Sequence, residues 1–286
     1  MKASLLWLIL GLVLCRDEAK AVENGSNNTL NTAAPTSSDI PTWDTGWTQP
    51  AGQTGVTGWN YVGTVAGGGG RASGVYLGNS WVLTAGHVGT GRFTLGGMAY
   101  SVVPNSARSI ANSNGTADIC LFQITPAPNL PALNIATQGP SVGDSVAMLG
   151  YGDGGSITNE TWGLNKVTQI NELVTPSGYS YVSTDFETDY GVDSNEYYLV
   201  LGDSGGGDFV YNSSKGQWQL TGINEAVDSN NPPDSYFVEL STYATQIEAI
   251  VSPQGVPAMP AWGWVVLPVL IFLVASGHLP KNRVLS

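Results

Sequence analysis

Between Gly55 and Ile250 the apolar residues come in short runs, and Gly, Asn or Pro interrupts each one before a long helix can form. Tyr61 to Ala66, Gly74 to Leu77, Trp81 to Thr84, Ile119 to Ile124 and Ser145 to Leu149 are such runs. Tyr179 to Thr184, Phe209 to Tyr211 and Trp218 to Ile223 continue the series. β-Branched and aromatic side chains suit a pleated, half-buried surface, and turn residues at this spacing reverse the chain between strands. The pattern predicts an all-β barrel or sandwich over residues 55–252. One short helix is expected at Ser241 to Val251, where Ile247, Ile250 and Val251 recur at helical spacing. With only Cys15 and Cys120 present, stability must come from the core, which a domain of this size can supply.

The two ends differ from this middle. Lys2 precedes the apolar run Leu5 to Leu14, and Ala19-Lys20-Ala21 offers a small-x-small cleavage site. Residues 1–21 therefore read as a secretory signal, with signal peptidase as the expected partner. Residues 22–54 are rich in Asn, Thr, Ser and Pro without hydrophobic periodicity, and are expected to form a mobile linker or propeptide. In residues 253–286 a Pro-containing motif from Val256 to Gly263 leads into an apolar stretch over about 261–279. Lys281 and Arg283 follow it. That length suits a membrane span with a cytoplasmic tail. The combination resembles PEP-CTERM-like sorting signals of Gram-negative bacteria, which implies a C-terminal sorting protease and attachment to the cell envelope.

Residues 22–280 carry 5 basic and 20 acidic side chains, a balance of -15. Such a surface repels phosphate backbones and anionic lipid, which excludes nucleic acid as a partner. That stretch holds two histidines, and only His87 precedes the apolar tail, so no histidine-based metal site is expected. No cofactor-binding loop is present.

His87 ends the apolar run Trp81 to Leu83 through Thr84-Ala85-Gly86. Imidazole is the side chain best suited to take a hydroxyl proton near neutral pH, although a lone histidine is equally compatible with a structural role. Asp118 opens the apolar stretch Ile119 to Phe122, where it can orient a histidine or simply begin a strand. Ser204 lies in Gly202-Asp203-Ser204-Gly205-Gly206, which suits a sharp turn presenting a nucleophile and equally suits ordinary turn chemistry.

Taken together, these segments resemble the trypsin/chymotrypsin family of serine proteases over about residues 55–250. Thr84-Ala85-Gly86-His87, Asp118-Ile119-Cys120-Leu121 and Gly202 to Gly206 occur in that family's order. Gly150-Tyr151-Gly152 and Leu220-Thr221-Gly222-Ile223 match secondary motifs. The resemblance implies two six-stranded antiparallel β-barrels with the active site between them. It implies a serine endopeptidase without a cofactor, acting on protein or peptide substrates. His87, Asp118 and Ser204 would be catalytic, and the amides of Gly202 and Ser204 the oxyanion hole. A catalytically inactive homologue serving as an envelope binding or adhesion module is the alternative, and a tail-retained structural protein is a third reading.

Some positions depart from the family pattern. Val88 and Ala72 stand where a disulfide pair is common, and Gly207 where proline is. Cys120 is expected to be an inert core thiol. Glu225 falls where a serine supports the aspartate and lines the substrate pocket, and a second carboxylate there would raise the histidine pKa and shift the activity optimum upward. Tyr198 is expected near the floor of the primary substrate pocket, with Asp193 and Asp228 close enough to leave a basic preference open. No Arg/Lys-Ile-Val-Gly-Gly activation site precedes Tyr61. Val56 or a neighbour would provide a new N-terminus, or none is needed.

Overall fold

The computed structural model describes residues 22–24, 30–67, 70–152, 159–191, 196–228, 230 and 233–252. The signal segment, Asp193 and the C-terminal segment with its apolar span lie outside these residues. Among the described residues no helix is long and apolar enough to cross a membrane.

The first sheet is built from β1 (Val62–Gly67), β2 (Gly70–Gly78), β3 (Trp81–Thr84), β4 (Arg92–Leu95), β5 (Met98–Val102), β6 (Arg108–Asn112) and β7 (Gly115–Thr125). Its order is β3-β2-β1-β4-β5-β7-β6, and β3 also pairs with β7. That pairing closes six strands into a barrel and leaves β6 as an appendage on β7. Closure removes the open edges that would otherwise invite wrong pairing. Gly63 is required at one tight approach, because a Cβ there would meet the carbonyl of Thr94 and the ring of Phe93.

The second sheet contains β8 (Ser145–Gly150), β9 (Thr161–Lys166), β10 (Gln169–Val174), β11 (Ser183–Thr188), β12 (Gly207–Asn212), β13 (Gln217–Val227) and β14 (Ser235–Glu239). These run β10-β11-β14-β13-β12-β8-β9, all antiparallel, and no β9–β10 pairing closes the ring among the described residues. The expected pair of six-stranded barrels is thus a closed barrel and a second seven-stranded sheet in the chymotrypsin-like arrangement. The helix α1 (Leu240–Val251) follows β14 directly and buries Leu240, Tyr243, Ala244 and Ile247.

One apolar cluster runs across both sheets, joining Val65, Leu83 and Ile119 to Leu149, Phe209 and Leu220. A second, with Val22, Val146, Met148, Phe186, Leu199 and Phe237, fills the other side of the second sheet. Phe186 and Phe237 stack there at 4.9 Å on paired strands, a cross-strand contact that locks the β11–β14 register.

Two expectations fail. Tyr179 to Val182 does not join the strand that starts at Ser183, because its tyrosines turn toward the first sheet, where Tyr181 donates to Gly86 O at 3.1 Å. The supposed mobile linker is folded over residues 30–54. Trp43 is fully buried and packs edge-on against Trp47, Phe209 and Trp218 at 4.9–6.2 Å. Trp218 holds the same segment through its backbone N to Gly46 O and its Nε1 to Thr42 O. A segment anchored by two large aromatics needs no periodicity, so a periodicity reading misses it.

Candidate active site

His87 follows β3 and Asp118 lies within β7, two strands paired with Thr84 opposite Cys120. This register brings the end of one strand beside the start of the other. Asp118 is fully buried and receives two bonds from His87: backbone N to Oδ1 at 2.7 Å and Nδ1 to Oδ2 at 2.6 Å. A carboxylate only accepts, so Nδ1 carries the hydrogen and Nε2 keeps its lone pair. The ring itself remains 13% exposed, which leaves that lone pair reachable. Gly86 permits the approach, since a Cβ there would press on Asp118 Oδ1 and the Tyr181 ring.

Ser204 comes from the turn before β12. Its carbonyl accepts from Ser73 N at 2.9 Å, and Gly205 N donates to Asn224 O at 2.8 Å. Asn224 Nδ2 also binds the carbonyls of Leu149 and Asp203. Gly205 has φ +81°, and a Cβ there would collide with Thr84 Oγ1 and the Ser73 carbonyl. Gly202 has φ +100°, a region that disfavours every residue with a Cβ. Neither the Gly202 nor the Ser204 N–H meets an acceptor among the described residues. Ser204 and His87 line one cavity of about 190 Å³ with Tyr179, Val200, Glu225 and Ala226. No hydrogen bond joins the serine to the histidine among the described residues, as is common before substrate closes such a site.

Asp203, just ahead of the serine, is fully buried and points away from the cavity. Its Oδ1 accepts from Gly152 N at 2.8 Å, and its Oδ2 from Val200 N at 2.9 Å and Val22 N at 3.0 Å. Burial pushes its carboxyl up to about 6 even though these three bonds favour the ion. Val22 is itself fully buried, and Glu23 pairs with Tyr198 through both backbone bonds. The chain segment that reaches this aspartate is therefore Val22, not Val56. Val56 N instead donates to Gln49 Oε1.

Tyr198 is absent from the cavity lining. Its backbone serves Glu23, and its ring meets Tyr190 edge-on at 5.1 Å. Glu225 does line the cavity, and burial, and then Asp185, raise its carboxyl well above the usual carboxylate range. Burial and nearby Asp118 push the Cys120 thiol up to about 11, which leaves it un-ionised. Asp228 belongs to a neighbouring cavity with Glu172 and Glu187. Glu187, Asp189 and Asp234 place one oxygen each within 4.8 Å of one another, a donor set for a hard cation rather than for zinc.

Pattern reading missed Ser73, Asn224, Ser183 and Asp185, none of which lies in a recognisable motif. Val22 carried a usable signal, since it directly follows the small-x-small site.

The trypsin family model matches residues 50–247. No curated protein sequence matches the chain. Among solved structures, the active form of the Rv3671c protease from M. tuberculosis aligns at 15% identity with a TM-score of 0.50. The alignment covers 69% of this chain and 83% of that one. Neuropsin, a serine protease expressed in the limbic system of mouse brain, aligns at 18% identity with the same score, covering 67% and 94%. At such identities the two likenesses concern the fold.

Proposed function

The chain belongs to the trypsin family, and on that premise we propose that it is an exported serine endopeptidase working through an acyl-enzyme. The observation that carries the proposal is the His87–Asp118 pair at 2.6 Å, with Ser204 lining the same cavity. In this reading Ser204 Oγ attacks the scissile carbonyl while His87 Nε2 takes its proton. The amides of Gly202 and Ser204 hold the oxyanion. The histidine then protonates the leaving amine, and water repeats the sequence on the acyl-serine. Asp118 keeps the tautomer with hydrogen on Nδ1 and stabilises the imidazolium. It does so by accepting from two N–H donors, one on each oxygen.

The cavity bears on the substrate. Leu199, Val200, Ala226 and Val227 are apolar, and burial raises the carboxyl of Glu225, the acid in this lining, so an apolar or neutral side chain fits better than a basic one. Export rests on the signal-like residues 1–21, and retention at the envelope on residues 253–286. Removal of the leader after Ala21 would free the Val22 amino group, whose nitrogen already contacts Asp203. Signal peptidase would then perform the activating cut, and no separate propeptide would be needed.

A fluorophosphonate probe tests the enzyme reading. Properly trimmed protein should label at Ser204, and Ser204→Ala should abolish the signal. Absence of labelling in folded, trimmed protein returns the inactive-homologue reading.

A further inference from the structure

Close to Asp118, two further acids are buried near each other. Asp185 on β11 is fully buried and Glu225 on β13 is 3% exposed. Their carboxyls lie within hydrogen-bonding reach. Yet both oxygens of Asp185 and Oε2 of Glu225 meet no donor among the described residues. Two ionised carboxylates only accept, so the contact becomes a bond only when one of them carries a proton.

The backbone explains why Glu225 reaches this place. Along the β13–β14 pair, Asn224 is opposite Phe237 and Ala226 is opposite Tyr236, which leaves Glu225 as the extra residue of a bulge. A bulge re-aims the side chain it carries. Its Oε1 accepts from Ser183 Oγ at 2.9 Å, and the same Ser183 Oγ accepts from Asp118 N at 2.9 Å. One hydroxyl thus ties the acid pair to the backbone of the aspartate that orients His87.

We propose that Asp185 and Glu225 share a single proton as a carboxylic acid–carboxylate pair, and that this pair acts through Ser183 to position Asp118. Glu225 and Asp185 are positioning residues, and neither touches the reacting atoms in this scheme. The proposal rests on the protease reading for its catalytic consequence but not for the shared proton.

The surroundings favour one proton. Asp118 on β7, Glu239 on β14 and Tyr243 on α1 are the titratable groups that face the pair, and none supplies a positive charge. Burial raises both carboxyls, so one of them holds the proton and the other accepts it. Full ionisation would place a third charge beside Asp118, and loss of the pair would leave the Ser183 hydroxyl without its acceptor.

Two measurements on the full chain separate the claims. Infrared difference spectra between the Ser204→Ala protein and the same protein with Glu225→Gln should show loss of one carboxylic-acid C=O band at neutral pH. That arm needs no activity, so it decides the shared proton even if the protease reading fails; an unchanged band overturns the pair.

The second arm is the rate of Ser204 labelling by a fluorophosphonate across pH. Glu225→Gln supplies a donor to Asp185 and an acceptor to Ser183, and should label within about threefold of the parent. Glu225→Leu supplies neither, and should label on the order of tenfold or more slower while near-ultraviolet circular dichroism shows it folded. A glutamine variant as slow as the leucine variant, or a leucine variant as fast as the parent, overturns the positioning role. Should Glu225→Leu not fold, Asp185→Asn combined with Glu225→Gln replaces it. That pair keeps a hydrogen bond but holds no acidic proton, so it must label within about threefold of the parent, and a rate tenfold or more below the parent overturns the positioning role.

Discussion

Acetylation of the Val22 amino group gives the most demanding test of how the catalytic turn is held. In trimmed protein that nitrogen would be an ammonium 3.0 Å from Asp203 Oδ2, whereas acetylation keeps it an amide as in the untrimmed chain. With only amides around it, the Asp203 carboxyl rises from 3.8 to about 6 through burial. At about 1.36 kcal/mol per pH unit this is a penalty of about 3 kcal/mol for keeping the ion buried. No solvent discount applies, because the group is wholly buried. The sign follows from the raised value. Folding prefers the protonated form, so the penalty is absent below about pH 3.8, grows as pH rises toward 6 and is complete above it. An ammonium at Val22 offsets the penalty where the ion exists. Asp203 adjoins Ser204, so the cost falls on the turn that presents Ser204. At pH 8 the acetylated protein should label at Ser204 roughly a hundredfold more slowly than the free-amine protein, or lose about 3 kcal/mol in urea unfolding. Comparing the two forms at each pH cancels every pH effect common to both, and the deficit should close as pH falls below 6. Equal rates at pH 8, or a deficit independent of pH, would refute the reasoning.

Asp118→Asn should lower the labelling rate by roughly 10⁴-fold at neutral pH with the fold retained, because an amide reverses the tautomer of His87; loss of less than tenfold contradicts the assigned hydrogen-bond direction. Trp43→Ala should cost about 3–5 kcal/mol in urea unfolding, since Trp43 is fully buried among Trp47, Phe209 and Trp218. A linker residue would cost nothing measurable. Cys120 should resist iodoacetamide at pH 8 in the folded protein and react after denaturation, because its thiol sits near 11; ready alkylation of native protein would place it outside the packed strand.

The sequence by itself determined the strand content and marked His87, Asp118 and Ser204 as the candidate site. Short apolar runs between turn residues are a local property, and so is the context of His87, Asp118 and Ser204, each at the end or start of a strand. Glycines at 202 and 205 were legible for the same reason, since a positive φ constrains the residue that adopts it. Tertiary structure decided what each local feature meets. Val22 reaches Asp203 across 181 positions, and no periodicity encodes a contact between a buried terminus-proximal valine and a distant carboxylate. The Asn-rich segment looked mobile because its two tryptophans follow no repeat, yet they fill a space lined by Phe209 and Trp218, residues far along the chain. Tyr198 was placed by counting from the serine, but its strand-like pairing with Glu23 turns it away from the cavity. Glu225 was legible as a carboxyl in an unusual place, whereas its charge was not. A bulge in β13 places that side chain, and burial and the facing Asp185 raise its carboxyl, a setting that arises only when three strands are assembled side by side.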